Sequence, residues 1–198
     1  MPMLETGSRR IILASQSPRR IELLKKIIDR FEVAAANIDE SIVNAQSPAD
    51  AVVEISHKKA MHASQNIASG IIIAADSIVV VDGQILSKPR TYDESLSMLR
   101  ALSGKVHQVY TGVTVIDIPD QYLVSDVAVT DVKFRELDCA EIRRYIQTNH
   151  PFDKAGSYGI QDDAAVFIEY IKGCAYNVMG LPVSKIYLIL KKLFDKGN

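Results

Sequence analysis

The chain has 198 residues, 47% of them hydrophobic, and can therefore bury a core of ordinary globular size. Its formal net charge of -1 gives no general attraction to nucleic acid or to an acidic membrane surface, which excludes non-specific binding to either. No apolar run reaches the roughly 18 residues of a membrane span, and the polar N-terminal segment does not resemble a signal peptide, so neither membrane association nor export is expected.

The first predicted elements are a strand and a helix joined by a short polar loop. The unbroken apolar residues 11–13 are typical of a strand that is covered on both faces. Ser17 and Pro18 predict a helix that begins at Pro18, because a serine can cap free N–H groups and proline loses no hydrogen bond there. Apolar residues at helical spacing continue this helix through Ile21, Leu24, Ile28 and Phe31.

Arg19 and Arg20 lie in the first turn of this helix, where the positive end of the helix dipole disfavours each cation by about 0.3–1 kcal/mol. Two explanations stay open. Either both arginines are solvated or paired with acidic residues of their own chain, or they help to bind an anion. A strand, a polar loop and a helix N-terminus together form a common phosphate cradle.

A second strand and a second helix follow. Residues 31–41 predict a weakly alternating strand that runs into a polar loop containing Glu40. The Ser-Pro pair at 47–48 starts the helix, on which we expect one of Lys58 and Lys59 to face solvent and the other to reach a cleft.

Residues 70–86 are the strongest strand signal, a continuous apolar run closed by an Asp82-Gly83 dipeptide that is typical of a tight hairpin. Asp76 interrupts this run, and an unpaired charge in a buried strand costs several kcal/mol. One explanation is that backbone amides satisfy Asp76 at a bulge. We favour the other, in which the strand places Asp76 at a cleft, where it holds a metal or orients a water.

Helices and strands continue to alternate in the second half of the chain, which predicts an α/β or α+β protein with a mixed sheet, in one domain over 1–198. The predicted elements are a helix over 91–104, strands over 107–118 and 122–134, a helix from the capping box at 138–141 to the residue before Pro151, a loop over 151–163, a strand over 164–173 and a C-terminal helix over 180–194.

The segment 152–161 combines Asp153 and Lys154 with two glycines and Gln161. We interpret it as a loop that folds over a ligand, although a stiff connecting loop has the same composition. The planar amide of Gln161 matches the adjacent N–H and C=O groups of a pyrimidine base. Lys88, just after the hairpin, has no diagnostic value by itself.

Several kinds of site are not indicated. The four histidines show no zinc-binding spacing, and the chain lacks a nucleophile elbow, a Walker loop and a GxGxxG fingerprint. Cys139 and Cys174 lie far apart without the spacing of a metal site or a disulfide framework, so a reducing cytoplasm fits best.

Five segments occur in an order and spacing that resemble the Maf family of nucleoside triphosphate pyrophosphatases, and within it the branch that acts on dTTP and UTP. They are LASQSPRR, AADSIVVVDGQILSKP, LSGKVHQVYTGV, DKAGSYGIQ and NVMGLP. The resemblance runs from about residue 11 to 193. It implies an α/β fold similar to the inosine triphosphate pyrophosphatases, with a mixed twisted sheet flanked by helices, two lobes around a cleft, and a homodimer.

The same resemblance implies hydrolysis of the triphosphate to a nucleoside monophosphate and pyrophosphate, with a divalent metal cation, Mg²⁺ or Mn²⁺, held by Glu40 and Asp76. Substrate-binding roles are implied for Ser15, Arg19, Arg20, Ser77, Asp153, Lys154 and Gln161. Catalytic roles are implied for Glu40, Lys59, Asp76 and Lys88. Asp76 is then the proton acceptor or chiefly a metal ligand, and Glu40 is able to exchange roles with it.

Three positions, Arg19, Ser77 and Gln161, resemble the dTTP/UTP branch in particular. Ser77 is a serine where threonine is common, which keeps the hydroxyl but loses a methyl contact and predicts a looser base preference. Two alternative functions remain: a house-cleaning enzyme for modified nucleotides, and a nucleotide-binding regulator of cell division. The regulator is disfavoured because a non-catalytic binder has no need of a carboxylate at Asp76, whose charge repels phosphates.

Overall fold

The structure is a computed structural model that describes residues 3, 4, 6–36, 38, 39, 45–118, 120 and 122–195. Its strands are β1 (Ile11–Leu13), β2 (Glu32–Val33), β3 (Gly70–Val81), β4 (Gln84–Leu86), β5 (Val106–Ile118), β6 (Tyr122–Phe134) and β7 (Ile168–Lys172). Its α-helices are α1 (Pro18–Leu24), α2 (Pro48–Ser64), α3 (Tyr92–Leu102), α4 (Cys139–Asn149), α5 (Ala175–Val178) and α6 (Val183–Asp195). Short 3-10 helices lie at Pro151–Asp153, Ala155–Ser157 and Asp163–Phe167.

The strands form one mixed sheet in the order β2-β1-β3-β5-β6-β7, with β4 paired to β3. β1 pairs in parallel with β2 and β3, whereas β3–β4 and β6–β7 are antiparallel. This confirms the predicted mixed sheet and the central position of β3. In the described part of the chain, each helix is too short or too polar to cross a membrane.

The chain divides into two compact units, and the division falls within β3, β5 and β6. Unit 1 comprises Met1–Asp76, Thr111–Ala128 and Gly180–Asn198. Unit 2 comprises Ser77–Tyr110 and Val129–Met179.

The core of unit 1 is built from small and branched apolar side chains. In the parallel pairing of β1 with β3, Ile11 lies opposite Ile71 and Leu13 opposite Ile73. Alanines line the packing of α2 against these strands, so the helix backbone comes close to the sheet. This core contains Ile12, Ala14, Ala60, Ala63, Ile72, Ala74 and Ile116.

The core of unit 2 is larger and aromatic. Phe134 of β6 makes edge-to-face contacts with His107, Tyr158 and Phe167, with centroid separations of 4.9, 4.8 and 5.9 Å. Leu99 and Leu102 of α3 are buried against this cluster, as the spacing of leucines in the predicted helix indicates.

The helix starts and the hairpin are largely as predicted. Ser47 caps α2, Thr91 caps α3, and Asp138 with Glu141 forms the full capping box of α4. The Asp82-Gly83 turn joins β3 to β4, with both residues at positive φ.

The predictions for the first helix and for two strands are wrong in extent. The Ser17 side chain makes no capping hydrogen bond, and α1 ends at Leu24, because the chain continues as a tight turn in which the Ile28 N–H donates to the Leu24 carbonyl. The second strand shortens to β2, and the strand predicted over 164–173 begins only at Ile168, since Asp162 caps a 3-10 helix before it. Glu40 lies outside the described residues.

The capping box of α4 generates a test of local stability. Asp138→Ala removes the side chain that accepts hydrogen bonds from the N–H groups of Ala140 and Glu141, and is expected to lower the free energy of unfolding by about 1 kcal/mol. Urea denaturation measures this change. Gln147→Ala, an exposed position of the same helix, is the control and should be neutral within about 0.5 kcal/mol. Equal losses in both variants would contradict the assigned role of the cap.

Candidate functional site

The central feature of unit 1 is an ion pair between Lys59 of α2 and Asp76 of β3. The Lys59 Nζ donates to the Asp76 Oδ1 at 2.6 Å. Lys59 is 5% exposed and Asp76 is 7% exposed. The Asp76 carboxylate is therefore tolerated within the apolar strand because a buried lysine pairs with it. This partner differs from the backbone amides of a bulge, which were the alternative explanation.

The position of Lys59 follows from the pattern of α2. The buried residues of this helix form one stripe at spacings of one and three: Ala51, Val52, Ile55, Ser56, Lys59, Ala60 and Ala63. Lys59 occupies a core position of that stripe. Lys58 lies outside it and pairs at the surface with Glu54 at 2.5 Å, so the two adjacent lysines have opposite environments.

Arg20 is held at the end of β1 by two neutral acceptors. Its Nε donates to the carbonyl of Gly180 at 2.8 Å, and its Nη1 donates to the Ser15 Oγ at 3.4 Å. Ser15 is buried and also accepts from the N–H of Ser17. These contacts orient the guanidinium. Arg19, beside it, is half-buried.

The register of the parallel strands places two of these groups just beyond the same end of the β1–β3 pairing. β1 and β3 pair in parallel through Leu13 and Ile73, so the residues that follow these two positions leave the pairing on the same side. Ser15 lies two residues beyond Leu13, and Asp76 lies three residues beyond Ile73. Unit 1 thus gathers Ser15, Asp76 and, through their contacts, Arg20 and Lys59.

In unit 2 the predicted substrate loop is a series of tight turns held by three different elements. The Gly156 N–H donates to the carbonyl of Ser87 at 3.2 Å, next to Lys88. Ser157 and Ser95 of α3 are joined by a buried hydroxyl contact. Gly156 has a φ of 67° and lies so close to Val79 that a Cβ would approach a methyl group of that side chain to 2.9 Å. The loop is therefore a rigid platform.

The third anchor of the loop is a buried hydrogen bond between His107 of β5 and Tyr158. The His107 Nε2 and the Tyr158 hydroxyl are 2.7 Å apart, and both residues lie in the aromatic core of unit 2. Burial lowers the pKa of His107 to about 4, so the imidazole is neutral near pH 7. This residue ties the segment LSGKVHQVYTGV to the segment DKAGSYGIQ.

Lys154 lies between two carboxylates of the same unit. Its Nζ is 2.8 Å from the Asp153 Oδ1, which is mostly exposed, and 3.8 Å from the Oδ2 of Asp162. Asp162 also accepts from the hydroxyl of Tyr145 at 3.1 Å. Lys88 and Gln161 are exposed, and Ser77 is half-buried on β3 directly after Asp76.

Several contributors have no signal that a sequence reading would single out. The carbonyl of Gly180 orients Arg20 through its backbone, which any residue supplies. Asp162 follows Gln161 in a run of two aspartates and reads as loop polarity. Ser56, which forms a hydrogen bond with Thr114 of β5, offers a usable signal, a hydroxyl within the buried stripe of α2.

The described residues contain no cluster of three or more histidine, cysteine, aspartate or glutamate side chains that is able to hold a metal ion. Glu40, one of the two predicted ligands, lies outside them. A cavity of about 190 Å³ in unit 1 is lined by Arg10, Glu32, His62 and Asn66 among others, and includes none of the predicted site residues.

Comparisons with known proteins agree on one family. The family model described as Maf-like protein matches residues 10–193. A protein of Carboxydothermus hydrogenoformans named dTTP/UTP pyrophosphatase is 46% identical over 183 residues, 92% of this chain and 98% of that protein. A protein of the same name from Clostridium perfringens (strain SM101) is 44% identical over 184 residues, 92% of this chain and 96% of its own.

Among solved structures, the structure of the Staphylococcus aureus Ham1 protein matches with a TM-score of 0.47 and 15% identity over 64% of this chain and 72% of that chain. A likeness of this size carries no conclusion about the present chain.

The buried pair generates a prediction about stability. Lys59→Met leaves the Asp76 carboxylate buried without its partner, and is expected to lower the free energy of unfolding by about 3–5 kcal/mol. Adding Asp76→Asn to this variant is expected to restore part of the loss, because the uncompensated charge is removed. Urea denaturation measures both. Lys58→Met, which breaks only the surface pair with Glu54, is the control and should change stability by less than about 1 kcal/mol. Equal effects at positions 58 and 59 would contradict the buried pairing.

The depressed pKa of His107 generates a prediction about acid stability. Above pH 6.5 the imidazole is neutral in both states, but between pH 6.5 and about 4 the unfolded chain binds a proton that the folded protein excludes. As the pH is lowered from 6.5 to about 4, the free energy of unfolding therefore decreases by about 3 kcal/mol in total. His107→Gln should flatten this part of the profile, whereas His62→Gln, at an exposed site, should leave it unchanged. An identical acid profile for the wild type and His107→Gln would contradict the assignment.

Proposed function

Because the chain belongs to the Maf family, we propose that it hydrolyses nucleoside triphosphates, with dTTP and UTP preferred, to the nucleoside monophosphate and pyrophosphate. The observation that carries the proposal is the buried pair of Lys59 and Asp76, in the same unit as an oriented arginine. The similar proteins of two organisms support the choice of substrates through their names.

The buried pair supports catalysis better than it supports stability. A buried ion pair is often no more stabilising than well-packed apolar side chains of the same volume. A carboxylate near phosphates also weakens the binding of an anion, so a protein that only bound nucleotides would lose affinity by keeping it. Paired carboxylates with restricted access are, in contrast, common among groups that accept protons during a reaction.

In the proposed reaction, Asp76 accepts a proton from a water molecule that attacks the α-phosphorus. The bond between the α-phosphorus and the bridging oxygen breaks, and pyrophosphate leaves. Lys59 holds the Asp76 Oδ1 at 2.6 Å, which orients the carboxylate and leaves Oδ2 as the oxygen that takes the proton. Ser15, Arg19 and Arg20 bind phosphate oxygens and offset their charge.

The residues of unit 2 keep the roles that the family resemblance implies. Lys88 binds phosphate oxygens, and Gln161 hydrogen-bonds the edge of the base. Lys154 carries an ammonium between Asp153 and Asp162, and its side chain is only 15% exposed, so its position is defined before any substrate binds. Such preorganisation lowers the entropic cost of binding.

A divalent cation, Mg²⁺ or Mn²⁺, is part of this proposal. Among the described residues, Asp76 is the predicted ligand, and no group of three or more histidine, cysteine, aspartate or glutamate side chains is able to hold an ion. Such a site suits an ion that takes most of its oxygen ligands from the triphosphate and from water. Asp76 and Glu40 would hold it. When bound, the ion would neutralise phosphate charge and polarise the phosphorus–oxygen bonds.

We also propose that the protein acts in the cytoplasm and as a homodimer. The two free cysteines, Cys139 and Cys174, fit a reducing compartment. The dimer rests on the family resemblance alone.

Pyrophosphate release tests the proposal directly. The wild type is mixed with dTTP, UTP, CTP, GTP and ATP, with Mg²⁺, with Mn²⁺ or with a chelator. We expect metal-dependent turnover of dTTP and UTP, and a loss of about 10²–10⁴-fold in kcat for Asp76→Asn, because the proton acceptor is removed. Glu54→Gln, which removes an exposed carboxylate of α2, is the matched control and should keep full activity.

The alternatives give different results in the same assay. Faster turnover of 5-methyl-UTP or pseudo-UTP than of dTTP would favour the removal of modified nucleotides. Nucleotide binding with no turnover of any triphosphate would overturn the enzyme and favour the regulator.

A further inference from the structure

A chain of three hydroxyl groups, two of them buried and the third half-buried, connects α2 to the sheet of unit 1. The Ser56 Oγ lies 2.9 Å from the Thr114 Oγ1 of β5, and Thr114 lies 2.9 Å from the Ser125 Oγ of β6. Ser56 also donates to the carbonyl of Val53 at 2.9 Å. Because a hydroxyl has one hydrogen, Thr114 must donate to Ser56, and Ser125 must donate to Thr114. The chain therefore has a single direction.

A second contact brings the backbone of α2 directly onto β5. A Cβ added at Gly112 would lie 2.2 Å from the carbonyl oxygen of Val52 and 2.6 Å from the backbone nitrogen of Val53. Backbone atoms of a helix cannot move aside as the end of a flexible side chain can. Only glycine allows the helix to approach the strand this closely at this position.

Both contacts lie N-terminal to Lys59 on α2: the Gly112 contact at Val52 and Val53, and the Thr114 contact at Ser56. Ser56 precedes Lys59 by three residues, which is about 4.5 Å along the helix axis. An apolar contact would permit small rotations and shifts of α2. The directed hydrogen bond of Ser56 and the close contact at Gly112 together fix the rotation and the position of the helix. The Nζ of Lys59, at the end of a long side chain, thereby comes within 2.6 Å of Asp76.

We propose that Gly112 and Thr114 are positioning residues for the pair of Lys59 and Asp76. They act through the placement of α2 and do not touch substrate. The inference rests on the proposed function for its consequence in catalysis, but its structural statement is independent of that function. It assigns roles to Gly112, near the end of the segment LSGKVHQVYTGV, and to Thr114, just after it, neither of which the proposed chemistry uses.

Steady-state kinetics with dTTP is the first test. Thr114→Val keeps the shape of the side chain but removes the donor to Ser56, and we expect kcat to fall at least about tenfold while KM changes by less than about twofold. Thr114→Ser restores the hydroxyl and should recover most of kcat. Gly112→Ala should lower kcat as well, because the added methyl pushes α2 away. If kcat in these three variants fell only in proportion to their loss of thermal stability, the inference would be overturned.

A matched control separates positioning from general destabilisation. Thr130 is a buried threonine of β6 in unit 2 that bonds to Asn177 and to the backbone of Cys174. Thr130→Val removes a comparable hydroxyl away from Lys59, and should lower stability without lowering kcat. Equal losses of kcat in Thr130→Val and Thr114→Val would overturn the inference.

A second measurement needs no activity. The coupling between Lys59 and Asp76 is measured by urea denaturation of Lys59→Met, Asp76→Asn and the double variant, in the wild-type and Thr114→Val backgrounds. We expect the coupling, expressed as a ratio of unfolding constants, to fall at least about tenfold without the threonine hydroxyl. Unchanged coupling would overturn the inference even if the wild type is active. If the wild type releases no pyrophosphate, but the coupling falls in the Thr114→Val background, the proposed function is overturned and the inference stands.

Discussion

One buried ion pair constrains the organisation of unit 1. Lys59 and Asp76 both lie within apolar elements, where an unpaired charge costs several kcal/mol, and they pair with each other. α2 must therefore be placed so that an ammonium at the end of four methylene groups reaches one carboxylate oxygen. The small alanines of the core, the glycine of β5 and the directed hydroxyl chain are all explained by this requirement. Ordinary packing would be satisfied by larger side chains and a more distant helix.

In unit 2, buried contacts fix the position of a loop. Its loop carries the partly buried Lys154 and the exposed Gln161, and a loop without anchors would move. Instead the loop is tied to the hairpin through Gly156, to α3 through Ser157 and to β5 through Tyr158. Each tie uses a buried group, and the aromatic core around Phe134 keeps water from competing for these hydrogen bonds. The functional side chains of the loop therefore project from a fixed backbone.

Local signals predicted much of this from the sequence. Capping residues, the apolar run of β3 and its turn are encoded within a few residues of each other, so the helices, the central strand and the position of Asp76 could be predicted. The partner of Asp76 could not, because it depends on the packing of α2 against β3. The predicted end of α1 is wrong because apolar residues such as Ile28 are buried by a turn as well as by a helix. The hydroxyl chain links residues far apart in sequence, and no spacing rule reveals it.

The path of β5 has a consequence for the quality of a preparation. This one strand carries His107 in unit 2 and both Gly112 and Thr114 in unit 1. Side chains alternate between the two faces of a strand, so a slip by one residue would turn all three away from their partners together. A molecule misregistered at β5 would lose the loop anchor and the helix contact at once. The specific activity of a preparation would then depend on the fraction of molecules in which β5 has the correct register.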